Sequence, residues 1–226
     1  IWNYKYKRTV MAIVVGNKTT NVKTPASTQM TFNHTQDSGD NRVLVIAISM
    51  NKANNTTTVK YNGINMTQRL KYKGSVSRWG FWELENPPTG TNQVKINFTA
   101  QNWNKVGTQV QSFTGATIGG NVGNNDVASV PHTRNRTVSN GSLIMLMGVC
   151  TGNFGTSNWV IDGNNITKNT LSLGHRMGVG VSTIPSSAGS VACTTTSVDN
   201  THDITNQTLE IKEVPTVVSR RRIITV

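Results

Sequence analysis

The chain is short of acid. Ten of its 226 residues are Asp or Glu against 22 Lys or Arg, giving a formal net charge of +12. Glycoside hydrolysis needs two carboxylates flanking one bond. The closest pair is Glu83 with Glu85, alternating on one predicted strand beside Trp79 and Trp82. It reads better as a solvent-facing pair at the end of an exposed strand. Cysteine is nearly absent. Cys150 and Cys193 allow one disulfide or two buried thiols, and two cysteines alone cannot build the usual structural zinc site. The four histidines lack metal-ligand spacing, and His202-Asp203 has no further ligand nearby. No Gly-x-Ser-x-Gly elbow accompanies His34 or His175, and no Lys-Ser/Thr follows the Gly-rich run after Gly115, so neither a nucleophile elbow nor a phosphate cradle is indicated. His34 reads as a hydrogen-bonded structural histidine in a strand. Apolar runs such as Val10–Val15 are far too short to span a bilayer, and neither an amphipathic helix nor a signal peptide is visible. A non-enzymatic chain without a cofactor is expected. The chain opens on Ile1, and the sequence leaves two readings of its true start, Ile1 after processing or Met11-Ala12, which would make an ordinary initiation site.

What is present is polar and uncharged. Hydrophobic residues make up 35% and charged residues 14%, so Asn, Thr, Ser and Gln supply most of the surface. Part of the positive charge sits at the ends, in Lys5, Lys7 and Arg8 and in Arg220-Arg221-Arg222. A basic balance suits acidic partners such as surface polymers or nucleic acid. Nucleic acid is disfavoured here, because each basic run is short and stacking aromatics flank only one of them. Ten Asn-x-Ser/Thr sequons occur, a number that an Asn- and Thr-rich chain reaches by chance.

Short β-type runs follow one another: Thr9–Val15, Gln29–His34, Arg42–Met50, Thr57–Tyr61, Gln68–Tyr72, Ser77–Leu84, Gln93–Phe98, Val106–Phe113, Ser142–Cys150, Arg176–Thr183, Val191–Thr196 and Thr208–Glu213. β-Branched and aromatic residues fill them and turn formers bound them. Asn62-Gly63 predicts a two-residue hairpin, because both central residues must accept positive φ. Arg42–Ile48 is apolar almost throughout, which predicts a strand buried on both faces. Trp79 and Trp82, three apart, point to opposite faces unless Gly80 introduces a bulge. Gly115–Pro131 is read as a loop between halves. One domain is expected nonetheless, since Leu143–Val149 looks like a central strand that needs the first half as cover. No internal repeat is evident. The fold class is all-β, an antiparallel β-sandwich of jelly-roll type.

Several motifs resemble a domain recurrent in bacteriophage structural proteins and secreted prokaryotic surface proteins. They are Thr31-Phe32-Asn33-His34-Thr35, Ser38-Gly39-Asp40-Asn41-Arg42, Val59–Thr67, the Trp-rich strand Trp79–Leu84, Pro87-Pro88-Thr89-Gly90 and Ser112-Phe113-Thr114-Gly115. The likeness spans about Thr28 to Val214 and is strongest in the first half. It implies a jelly-roll-like sandwich more firmly than a role, and its members are understood not to be enzymes.

The layout expected is an N-terminal arm and first strand over 1–27, a sandwich over 28–214 and a basic C-terminal arm over 215–226. Trp2, Tyr4, Tyr6 and Arg8 alternate with polar residues, and Arg220, Arg221 and Arg222 lead into Ile223 and Ile224. Both ends are strand-competent. Such arms either add to a neighbour's sheet edge or close the protein's own sandwich. The function expected is a structural subunit of a virion or an extracellular filament, assembling as a homo-oligomer or with other structural proteins of that surface. The rival is a glycan-binding adhesion module using Trp103, which lies between Asn102 and Asn104.

Overall fold

The run from Val43 to Met50 holds only one polar residue, Ser49. A strand sends alternate side chains to opposite faces, so this run needs cover on both. The computed structural model supplies it. The structure describes residues 9–10, 12–23, 28–51, 56–73, 77–98, 105–124, 132–150, 159–161, 164–166, 169–172, 176–182, 189–195 and 204–216. Among them the chain is an all-β, antiparallel sandwich with no helix.

The first half contains β1 (Thr9–Val10), β2 (Val14–Lys23), β3 (Gln29–Gln36), β4 (Val43–Asn51), β5 (Thr56–Tyr61), β6 (Ile64–Asn65), β7 (Thr67–Lys73), β8 (Ser77–Glu85), β9 (Gly90–Phe98) and β10 (Val106–Thr114). The second contains β11 (Ala116–Asn124), β12 (His132–Val138), β13 (Leu143–Cys150), β14 (Trp159–Ile161), β15 (Asn164–Ile166), β16 (Asn169–Ser172), β17 (Arg176–Val181), β18 (Gly189–Thr195), β19 (Ile204–Glu213) and β20 (Pro215–Thr216).

These strands form four main sheets and one small pair. The first half makes an inner sheet ordered β2-β10-β4-β8-β7 and an outer one ordered β3-β9-β5-β6. The second half repeats both orders, as β11-β19-β13-β17-β16 and β12-β18-β14-β15. The fold therefore contains an internal repeat that the sequence reading missed. Registers align the halves at roughly one hundred residues: Phe113 faces Val43 as Ile211 faces Leu143, and Tyr61 faces Ile64 as Ile161 faces Asn164. Arg78-Trp79-Gly80 then matches Arg176-Met177-Gly178. What repeats is turn chemistry and alternation, while the core residues between have diverged.

Three buried clusters separate the four layers. Leu44, Ile46, Ile48 and Met50 pack with Met30, Val59, Val94 and Ile96 between the two sheets of the first half. Val43, Val45 and Ala47 face the other way, joining Leu143, Met145, Met147, Leu209 and Ile211 in a core shared by both inner sheets. Ile144, Leu146, Trp159 and Val191 fill the space within the second half. Burying each large aliphatic side chain stabilises the fold by about 1.5–3 kcal/mol. Trp79 lies in the shared core and Trp82 in the first-half core. The pairing of β4 with β8 runs unbroken past Gly80, so no bulge intervenes and strict alternation sets the two rings on opposite faces. Asn62 and Gly63 have φ of 48° and 78°, the positive pair that the hairpin between β5 and β6 requires.

Two local expectations are corrected. Ala116–Asn124 is a strand, β11, paired with β19. The glycines suit it because side chains from neighbouring strands lie over them. A Cβ on Gly119 would collide with the Glu210 carboxylate, and one on Gly123 with the Arg136 guanidinium. Residues 125–131 of the expected loop lie outside the described residues. The first predicted strand, Thr9–Val15, divides into β1 and β2, and β2 continues to Lys23 through a polar stretch that carried no strand signal.

Candidate functional site

The two termini meet. Thr9 pairs with Thr216 and Val10 with Pro215, forming a two-stranded antiparallel ribbon. It adjoins the crossover between the halves, where Val14 pairs with Thr114 and Val214 N–H donates to the Gly115 carbonyl. Trp2, Tyr4, Tyr6, Arg8, Arg220, Arg221, Arg222, Ile223 and Ile224 lie outside the described residues. Their roots nonetheless leave the body side by side. Residues 1–8 and 217–226 hold six of the 22 basic residues and none of the ten acidic ones, so these two segments carry half of the net charge of +12.

Beside the ribbon runs β2, an edge strand of ten residues bonded only to β10 among the described strands. Val14, Val15 and Val22 on it are 58%, 41% and 42% exposed, and they account for three of the four large hydrophobics exposed among the described residues. A long edge strand with exposed apolar side chains is a template for strand addition.

A polar network ties β2 to its own outer sheet. Asn17 donates from its backbone N and its Nδ2 to Asp37, at 2.7 and 2.6 Å, and Ser112 Oγ donates to the same carboxylate. Burial works to raise the Asp37 carboxyl, but the Ser112 and Asn17 hydrogen bonds and the charge interaction with His34 carry it below its usual value. Gly16 lies under this carboxylate, where a Cβ would collide with it. Deeper in, His34 is 1% exposed, with Nδ1 2.9 Å from Thr19 Oγ1. Tyr61 Oη donates to the His34 carbonyl, and the two rings meet edge to face with centroids 6.3 Å apart.

Desolvation lowers the His34 pKa from 6.5 to about 4, against the opposing pull of Asp37. Between those values the unfolded chain binds a proton that the folded chain refuses. The His34 contribution is therefore fully present above pH 6.5 and is lost as pH falls toward 4. The loss is expected to reach roughly 3 kcal/mol. Urea titrations between pH 7 and 4 check it, and His34→Gln should flatten this part of the profile.

The second half builds the same corner with its groups exchanged. Ser139 stands where Asp37 does and Glu210 where Ser112 does, since β12 and β19 occupy the places of β3 and β10. Ser139 N–H and Ser142 Oγ donate to Glu210 Oε1 at 2.6 and 2.8 Å. Burial raises the Glu210 carboxyl, but these bonds and Lys212 outweigh it and hold its pKa below the usual value. Glu210 also lines a cleft of about 310 Å³ between β11 and β12. Sequence reading had no reason to choose Glu210, because Leu209-Glu210-Ile211 looks like ordinary alternation. The Gly-rich strand opposite was the available signal.

Glu83 and Glu85 do not form the solvent-facing pair expected. Glu83 is 4% exposed and paired with Arg69, while Glu85 accepts from Thr117 Oγ1 and the Ile118 backbone of β11. β8 is an inner strand, so only its end reaches solvent. Burial raises the Glu83 carboxyl, and the Arg69 hydrogen bond and charge partly offset this. Cys193 is fully buried in the second-half core, and the side chain of Cys150, considered as its disulfide partner, lies outside the described residues. β13 and β18, which carry the two cysteines, belong to different sheets. Trp103 lies outside the described residues. No cluster of three or more His, Cys, Asp or Glu suited to a metal, and no helix long and apolar enough to cross a membrane, occurs among the described residues. Comparison with known protein families, curated proteins and solved structures found no match.

Proposed function

We propose that this chain is a non-enzymatic structural subunit, assembling with copies of itself or with other structural proteins into a virion or an extracellular filament. The observation that carries the reading is the β1–β20 ribbon beside the outer edge of β2, which pairs with no strand but β10 among the described strands. The ribbon delivers both strand-competent termini to one point, and the neighbouring edge can accept a strand from another subunit through backbone hydrogen bonds. The first strand beside the last and the second beside the next-to-last, in both halves, support the jelly-roll part of the reading and its likeness to virion and surface domains. Six basic residues in the arms favour an acidic contact surface on the partner.

Trimming residues 1–8 and 217–226 leaves the ribbon intact and removes the arms. Light scattering and negative-stain microscopy should show ordered multimers for the full chain and monomers for the trimmed one. Two well-folded monomers would remove the support for this reading. Val15→Lys with Val22→Lys, both on exposed positions, should lower the multimer fraction at least tenfold while leaving the melting temperature within a few degrees.

A further inference from the structure

We propose that the cleft between β11 and β12 binds one residue of a neutral saccharide, held by Glu210. The internal repeat supplies the comparison. In the first half both Asp37 oxygens are occupied: Oδ1 by Asn17 Nδ2, Oδ2 by Asn17 N and Ser112 Oγ. Gly119-Gly120 bulges opposite Glu210 as Gly16-Asn17 does opposite Ser112, in a bulge one residue longer, so counting from the first glycine Gly120 follows Gly119 as Asn17 follows Gly16. Gly120 has no side chain to give. Glu210 Oε1 has its two donors, but Oε2 is buried and has no hydrogen-bond partner. Glu210 is itself 1% exposed and its carboxyl is held ionised at neutral pH. A buried carboxylate oxygen without a donor costs stability unless something supplies one.

The other walls narrow the class of ligand. Asn135, Arg136 and Thr137 come from β12, and Thr208 stands beside Glu210 on β19. A guanidinium and a carboxylate in one cleft oppose a simple cation and a simple anion alike. An ammonium seated on Glu210 would have to shed its hydration, a cost of several kcal/mol. A neutral hydroxyl loses far less and gains a charge-assisted bond. Hydroxyls also both donate and accept, which suits a cleft lined by Arg136, Thr208 and Glu210 together. Val138 and Ile144 provide an apolar wall for the C–H face of a sugar ring. The volume, about 310 Å³, is at the small end of ligand pockets and fits a single ring. This site is independent of Trp103 and of the arms.

The test is backbone and methyl NMR of the full chain titrated to tens of millimolar with glucose, galactose, mannose, N-acetylglucosamine and N-acetylgalactosamine as methyl glycosides. At least one should shift residues 135–138, 144 and 208–210 saturably. Gly120→Leu should abolish those shifts, or weaken binding at least tenfold, with an unchanged melting temperature. Gly120 is exposed with nothing within 4 Å of an added Cβ, so this variant fills the mouth of the cleft without straining the fold. Glu210→Gln should also lose binding. Absence of shifts with every sugar, shifts that survive in Gly120→Leu, or a response only to zwitterionic amino acids or inorganic ions would each overturn the proposal.

Discussion

Phe113→Ala is expected to destabilise the chain by about 3–5 kcal/mol and to do so in one transition for both halves. Phe113 is fully buried in the core shared by the inner sheets, where Val43, Val45 and Phe81 of the first half meet Met145, Met147 and Leu209 of the second. It also precedes by two residues the crossover at Gly115, where Gly115 and Ala116 N–H groups donate to the Asp40 and Asn41 carbonyls. Truncating it opens a cavity that neither half can close alone, because each inner sheet is already held by its outer partner. Urea unfolding followed by far-UV circular dichroism and tryptophan fluorescence checks it. Trp79 and Trp82 report from the first half and Trp159 from the second. Separate transitions, or a loss below about 1 kcal/mol, would show that the inner sheets do not depend on one another.

Gly148→Ile is expected to cost about 1–3 kcal/mol or more by overpacking, and Trp159→Val alone a similar amount by leaving a void. The double variant should recover most of both losses. The Trp159 ring lies on the backbone of Gly148, whose added Cβ would come within 2.8 Å of ring carbon Cη2. The register gives the first-half counterparts as Ile48 and Val59, buried against each other's layer at 0% and 2% exposure. The two halves therefore fill one space in two ways, with bulk on the inner strand in one and on the outer strand in the other. A double-mutant cycle on chemical denaturation measures the coupling. Additive losses would mean that surrounding side chains, rather than this pair, set the volume.

Much of the local structure is readable along the chain. Asn62-Gly63 demands positive φ twice and so announces its hairpin. Asn86-Pro87-Pro88 ends β8 because proline cannot continue a ladder, and Asn86 does adopt a φ of 50°. The double-sided burial of β4 follows from its unbroken apolar run. By contrast, β2 is nearly polar throughout and β11 is rich in glycine, so neither satisfies a propensity rule. They are strands because β10 and β19 offer them edges to pair with.

The candidate sites divide along the same line. Basic, strand-competent ends can be seen in the sequence, yet their convergence into one ribbon cannot, because Thr9 and Thr216 are separated by nearly the whole chain. Glu83 looked like a surface acid because its own strand alternates irregularly. It is buried because β7 brings Arg69 alongside and β8 lies inside a four-layer stack.

The all-β class, the turns and the sides of the strongest strands follow from local chemistry along the chain, since period-two alternation and φ preferences act over a few residues. That two equivalent halves share a core, that Asp37 and Glu210 occupy equivalent corners from opposite strands, and that donors reach both oxygens of one carboxylate but only one of the other are matters of tertiary structure. Those outcomes depend on which distant strands become neighbours, and the free energy of a buried charge is set by the donors that arrive with them.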